Sequence, residues 1–230
     1  INEHQSFSDR TSKWMPEQEK GTRPACALPY ALHADCSLNK DNGTVDLFFE
    51  AEGNEQHAGS AFNMYTPATY AQEAGRTWFY AVKANDRFTD SVVLKEFEGS
   101  KYNLCINGPN GFFRHYRGNT NDPELSVRCR LEQKGVLTKN YTGHILLELE
   151  NKESNPQTVL LTDNAYGAKP QAIKLEGGKK KTIRINLDKS SGWYDFTATT
   201  EGNNTFSKQY AGHVETGKVS ITDPFMGGVL

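Results

Sequence analysis

From Ala31 onward, apolar and polar residues alternate in runs of about four to seven positions, with turn residues interrupting them roughly every 8 to 15. Leu32, Ala34, Cys36 and Leu38 form one apolar line, and Val45, Leu47, Phe49 and Ala51 a second. Further along, Leu125, Val127, Cys129 and Leu131 are followed by Ile145, Leu147 and Leu149. A period of two puts alternate side chains on opposite faces of a strand, so each line predicts a strand with one buried face. Amphipathic segments of period 3.6 and useful length are nearly absent. The expectation is an all-β chain with little helix.

The pattern occurs twice, in the same order. An alternating strand ending in Cys-x-Leu (Cys36 to Leu38, Cys129 to Leu131) opens each copy, and a second alternating strand runs into a polar turn, Glu52 to Gly59 or Glu150 to Pro156. Next come Ala61 to Thr66 and Thr158 to Thr162, then a Glu-x-Gly turn, Glu73 to Gly75 and Glu176 to Gly178. The closing hairpin matches best: Tyr102 to Ile106, Phe112 and Tyr116-Arg117-Gly118 align with Tyr194 to Ala198, Phe206 and Tyr210-Ala211-Gly212. Gly108-Pro109-Asn110-Gly111 supplies the fixed and positive φ values of a tight reversal, and Glu201-Gly202-Asn203-Asn204 takes that place in the second copy. These signals predict two tandem immunoglobulin-like antiparallel β-sandwich domains, residues 23–119 and 124–230. Residues 120–123 would be a short linker and 1–22 a connector.

Charge narrows the partners. The chain of 230 residues carries a net charge of -2 and is 36% hydrophobic, which suits a globular protein and disfavours nucleic acid as a ligand. The one dense basic run, Lys179-Lys180-Lys181 with Arg184, follows two glycines and reads as a solvated turn. Three Asn-x-Thr sequons, at Asn42, Asn140 and Asn203, would matter only in a eukaryotic secreted protein. No apolar run approaches the roughly 18 residues of a membrane span. Ile1 to Lys20 is polar, without a signal core, and a start at Ile1 rather than Met fits a processed or excised piece.

Candidate chemistry is sparse. Four cysteines form no C-x-x-C pair, so a thiolate metal site is not expected. Cys36 and Cys129 fall on apolar strand faces and read as small buried hydrophobes, while Cys26 and Cys105 could pair in an oxidising compartment. None of the six histidines has metal-ligand spacing; His33 with Asp35, and His213 with Glu215, share a strand face but lack a third ligand nearby. No nucleophile elbow or phosphate-binding loop occurs. No catalytic residue, metal or cofactor is expected.

Gly108-Pro109-Asn110-Gly111-Phe112-Phe113-Arg114 with Tyr116-Arg117-Gly118 resembles the hairpin signature of the C-terminal repeats of bacterial phosphocholine-preferring phospholipases C. Gly192-Trp193-Tyr194-Asp195-Phe196, Ala211 to Gly217 and Ser220-x-x-Asp223-Pro224 resemble the end of the second repeat, and Arg23 to Tyr30 the beginning of the first. The resemblance implies an alkaline-phosphatase-like catalytic domain N-terminal to these repeats, cleaving phosphatidylcholine or sphingomyelin to phosphocholine and diacylglycerol or ceramide. It also implies export to the periplasm or beyond. No family catalytic residue maps onto this chain, and residues 1–22 resemble the connector, with Trp14 packing against the absent domain.

Binding is then the expected role, because sandwiches display side chains on loops and faces without disturbing the core. Phe112 and Phe113 are adjacent, so one points inward and the other outward, where Arg114 or Arg117 could join it at a phosphatidylcholine surface or choline group. Trp78 and Tyr80 share a strand face and form a second candidate patch; Trp193 reads as a plug of the core or of the repeat interface. A carbohydrate- or surface-binding module and a passive spacer are the other classes. The first requires coplanar exposed aromatics, the second buried ones.

Overall fold

The computed structural model describes residues 19–53, 57–135 and 140–229; Trp14 and most of the expected connector lie outside these. The first repeat contains β1 (Pro24–Ala25), β2 (Leu32–Asn39), β3 (Thr44–Ala51), β4 (Ser60–Tyr65), β5 (Thr69–Tyr70), β6 (Glu73–Ala74), β7 (Thr77–Val82), β8 (Asp86–Val93), β9 (Lys101–Asn107) and β10 (Phe113–Asn119). The second contains β11 (Leu125–Lys134), β12 (Asn140–Asn151), β13 (Gln157–Asp163), β14 (Gln171–Leu175), β15 (Lys180–Ile185), β16 (Trp193–Thr200), β17 (Asn203–His213) and β18 (Ser220–Ile221). The helical elements among the described residues are short 3-10 turns, such as Leu94–Glu96 and Asp188–Ser190. The chain is an all-β antiparallel sandwich, as the alternation predicts.

Period-two burial is plain in β16, where Tyr194, Phe196, Ala198 and Thr200 are buried and the residues between them are not. β11 buries Leu125, Val127, Cys129 and Leu131 in the same way. β8 is exposed along most of its length, and as the last strand of its sheet it carries Asp86, Arg87 and Asp90, charges that discourage pairing with another chain.

Each repeat splits its main strands into three and four. The three-stranded sheets are β2-β3-β8 and β11-β12-β15, while the remaining strands form one sheet of eight in the order β14-β13-β16-β17-β10-β9-β4-β7. The eight-stranded sheet is continuous because β10 pairs antiparallel with β17, from Phe113 opposite Ala211 to Arg117 opposite Ser207. His115 stands opposite Gln209, and about that pair the repeats are related by a local two-fold: Arg114 faces Tyr210 and Tyr116 faces Lys208. A single apolar cluster runs through both repeats, from Phe49, Phe62 and Ile106 to Ile145, Leu147 and Phe196. Each large buried apolar side chain contributes about 1.5–3 kcal/mol.

Two details differ from the expectation. Glu73–Gly75 precedes β7 in the eight-stranded sheet, whereas Glu176–Gly178 precedes β15 in a three-stranded one, so the two turns are not equivalent. A Glu-x-Gly sequence suits any reversal needing positive φ, as at Gly75 (69°) and Gly178 (67°), whichever strands it joins. The turn of the second repeat's final hairpin is shorter than the expected Glu201 to Asn204: Thr200 pairs with Asn203, leaving only Glu201-Gly202 between the strands. In the first repeat, Asn107 pairs with Phe113 across a turn in which both Asn110 (57°) and Gly111 (70°) have positive φ.

Candidate functional site

The expected binding residues do not form one surface. Phe112 is 6% exposed and packs edge-on against Phe62, ring centroids 5.6 Å apart. Arg114 is 1% exposed and is corrected from a surface contact to an interior residue. Its Nη1 donates to the Phe113 and Ala211 carbonyl oxygens, each at 2.8 Å, and Nη2 donates to the Tyr194 hydroxyl at 3.2 Å. Its guanidinium carbon sits 4.0 Å from the Phe112 ring centroid. A cation is tolerated inside because acceptors and aromatic faces surround it. Phe113 and Arg117 point to the outer face of the eight-stranded sheet, Phe113 half-buried and Arg117 exposed.

Trp78 and Tyr80 pack inward at the edge of the first repeat. Trp78 meets Tyr70 edge-on at 5.3 Å, with the Arg76 guanidinium 5.5 Å from its ring. Tyr80 lies against Phe49 at 4.6 Å and donates its hydroxyl to Asp90 at 2.8 Å; burial, with that carboxylate beside it, holds its pKa far above the usual tyrosine range. The residue between them, Phe79, faces solvent at 75% exposure. Ladder pairing from Phe79 through Asn63 and Asn107 to Phe113 puts both phenylalanines on one face. That row spans about 14 Å at the usual strand spacing. Alternation could have named Phe79 instead of its neighbours, had the inward face of β7 been known.

A polar seam fills the space between the repeats. β2 and β11 each end a three-stranded sheet, and they face one another without a backbone ladder. Side chains serve their inner edges. Tyr116 donates to the Ala34 carbonyl oxygen at 2.6 Å, and Tyr210, its counterpart in the second repeat, donates to Val127 at 2.8 Å. Lys208 Nζ donates to Cys36 at 2.6 Å, and His33 Nδ1 meets the Cys129 carbonyl at 3.3 Å. Lys208 and Arg114 hold equivalent places but bond differently. Buried carbonyls left without a donor would cost about 1–3 kcal/mol each.

Charges continue the seam outward. Glu50 accepts from Arg87 within its own repeat and from Arg130 of the other, both at 2.8 Å. Glu52 accepts from His33 Nε2 at 2.9 Å and from Gln133 at 2.8 Å. The His33 hydrogen bond is the largest effect holding the Glu52 carboxyl down to about 2. Asp35 is 6% exposed; Oδ1 lies 3.2 Å from the Tyr210 hydroxyl, whose one proton goes to Val127, and Oδ2 has no protein donor. Burial raises the pKa of Asp35, outweighing the nearby cations led by Lys208 and Arg114. Burial also pushes the Cys36 and Cys129 thiols up to about 12, which leaves them inert as nucleophiles.

Outside this seam opens a cleft of about 990 Å³ with Lys208 and Asp35 among its lining residues. Lys40, Asp46, Arg87 and Asp122 also line it, so its charges are mixed. Many are already bound within the protein: Asp46 accepts from Asn39 and Thr44, and Asp122 from Tyr102. Among the described residues no three His, Cys, Asp or Glu side chains converge as a metal site. His33 and Asp35 bond to different partners, and His213 with Glu215 forms a clamp, Glu215 also accepting from Asn110 at 2.6 Å and from the Leu28 amide at 3.1 Å. Trp193 packs against His213 with ring centroids 4.6 Å apart and planes tilted by 40°, and its indole N–H donates to the Ile221 carbonyl oxygen. All four cysteines are free thiols, Cys26 exposed and the others buried, so the Cys26–Cys105 pairing is not formed.

The bacterial phospholipase C, C-terminal domain family matches this chain twice, over residues 24–119 and 123–213. The chain belongs to that family. Relatives of this phospholipase C C-terminal family include a non-hemolytic phospholipase C of Pseudomonas aeruginosa, 30% identical over 93% of this chain and 30% of the relative. A non-hemolytic phospholipase C of Burkholderia pseudomallei is 34% identical over 92% of this chain and 29% of its own length. A hemolytic phospholipase C of Pseudomonas aeruginosa is 32% identical over 93% and 31%. The chain thus spans about a third of the length of the curated relatives it matches. In family terms, the seam joins the two matched copies.

Proposed function

We propose that this chain is the non-catalytic C-terminal part of a bacterial phospholipase C that cleaves phosphatidylcholine or sphingomyelin to phosphocholine and diacylglycerol or ceramide. Its role is to stabilise an N-terminal catalytic domain and orient it at lipid surfaces, in a protein exported to the periplasm or beyond. The observation that carries this reading is the joining of both repeats through β10 and β17 into one continuous eight-stranded sheet, in a chain that matches only about 30% of the length of its phospholipase C relatives. A sheet of that kind can hold a neighbour at a fixed angle. Phe113, Arg117 and Phe79, on the outer face of the eight-stranded sheet, are the side chains placed to meet a phosphatidylcholine surface. Among the described residues no helix is long and apolar enough to cross a membrane. Trp78 and Tyr80 pack inward and so do not supply the coplanar exposed aromatics that the carbohydrate-binding alternative requires.

The test pairs co-sedimentation on phosphatidylcholine vesicles with a phosphocholine-release assay. The chain should release none, while the full-length protein should release phosphocholine and lose more of its rate on vesicles than on a short-chain soluble substrate when this region is removed. Release by the chain alone would overturn the reading.

A further inference from the structure

The last residues of the described chain carry an exposed apolar surface on a rigid turn. Val219 is 73% exposed, Phe225 52%, Met226 61% and Val229 51%, all between residues 219 and 229. The turn is tightly held: Gly227 donates to Asp223 at 2.9 Å, Gly228 to Phe225 at 3.0 Å and Val229 to Pro224 at 3.1 Å. Tyr166 donates to the Asp223 carboxylate at 3.1 Å and packs near the Phe225 ring. Four large apolar side chains more than half exposed within eleven residues make an apolar surface of the kind that marks a contact site.

The patch sits where the N-terminal side of the chain arrives. β1 pairs with β18, Pro24 opposite Ile221, and Gly21 donates to Gly227 at 2.9 Å. The backbones approach so closely there that a Cβ on Gly227 would lie 2.4 Å from the Gly21 carbonyl oxygen. We infer that Val219, Phe225, Met226 and Val229 form the docking surface for the catalytic domain N-terminal to this chain in the full-length protein. The inference rests on the function proposed above, and on relatives about three times as long as the chain. Attachment near this turn raises the effective concentration of such a domain to roughly millimolar, so the attached domain meets the patch ahead of a lipid surface or a second copy. The charges beside the patch, Lys20, Lys218 and the Glu19–Arg23 pair, are three cations against one anion, so a lipid surface is kept as an outcome of the test.

Hydroxyl-radical footprinting of this chain and of the full-length protein tests the surface, with Phe79 as a control remote in sequence. Phe225 and Met226 should be labelled in the chain and lose their label in the full-length protein, while Phe79 keeps its label. A Phe225→Ser, Met226→Ser variant should leave the melting temperature of the chain unchanged but split unfolding of the full-length protein into two transitions. Retained label at Phe225 and Met226, with protection elsewhere on the chain, would overturn this surface and leave domain docking intact. Equal labelling everywhere would sink both. Loss of label in the isolated chain, on adding phosphatidylcholine vesicles or raising protein concentration, would assign the patch to lipid or to a second copy and overturn the inference.

Discussion

Lys208 of the second repeat donates its ammonium hydrogen to the Cys36 carbonyl oxygen of the first at 2.6 Å, in a site where Lys208 is 3% exposed. The bond supplies a donor to the inner edge of β2, which faces β11 without a backbone ladder, and keeps a positive charge near the Asp35 carboxyl. One side chain thus serves an edge and a charge together.

Lys208→Met should therefore cost about 2–4 kcal/mol in denaturant unfolding, from an orphaned carbonyl and a less balanced Asp35. Adding Asp35→Asn should recover part of the loss, giving a coupling of about 1–3 kcal/mol in the double-mutant cycle. Strict additivity would show that the two groups do not interact.

Tyr116→Phe and Tyr210→Phe should each lose about 1–2 kcal/mol, because each removes the donor to a buried strand-edge carbonyl, Ala34 or Val127. The local two-fold predicts similar losses. Comparison of the two denaturation midpoints checks this, and a negligible effect of either would mean that the edge is served by water instead.

Stability should fall as pH drops from about 4.5 toward 2, because the Glu52 carboxyl is held at about 2 in the folded chain against 4.5 when free. A lowered acid pKa contributes stability above the free value and loses it as the group is protonated through the folded value. Glu52→Gln should flatten this acid arm. Asp35, raised by burial, works oppositely: its ionised form opposes folding, and acid relieves that cost. The Asp35 cost is relieved as pH falls toward 3.8, its free value, so unfolding midpoints measured from neutral pH down to about 2 for Glu52→Gln and Asp35→Asn give the two signs.

Gly118→Ala should be strongly destabilising, by about 2 kcal/mol or more, since an added Cβ would stand 2.0 Å from Asp122 Oδ2 and 2.5 Å from the Tyr102 hydroxyl. Those two atoms are bonded to each other at 2.7 Å and cannot both retreat without breaking that bond. Thermal unfolding of the variant measures the cost.

In the native chain one thiol, Cys26, should react promptly with a thiol reagent, and all four should react after unfolding. A chain showing only two reactive thiols when unfolded would contain a disulfide.

The sequence made much of this legible. Alternation gave the strands around Cys36, Val45, Cys129 and Ile145, and Pro109-Asn110-Gly111 marked its turn because few residues accept positive φ. That one of Phe112 and Phe113 points inward and the other outward followed from period two, while the structure decided that Phe112 is the inward one. The Glu-x-Gly correspondence failed because a turn signature does not state which sheet comes next. Trp78 and Tyr80 were placed on one face correctly, but nothing local told which face of β7 met the core.

Strand identity, hairpin register and family membership were thus set by residues close together in sequence, where sterics and hydrophobic period act directly. Tertiary structure alone decided that β10 joins β17, because a backbone ladder is made of groups every residue shares and so carries no code for its partner. It also decided that Arg114 and Lys208 lie inside. A charge can be buried only where distant acceptors surround it, and for these two the acceptors come from Ala211 and Tyr194 in one case and Cys36 in the other.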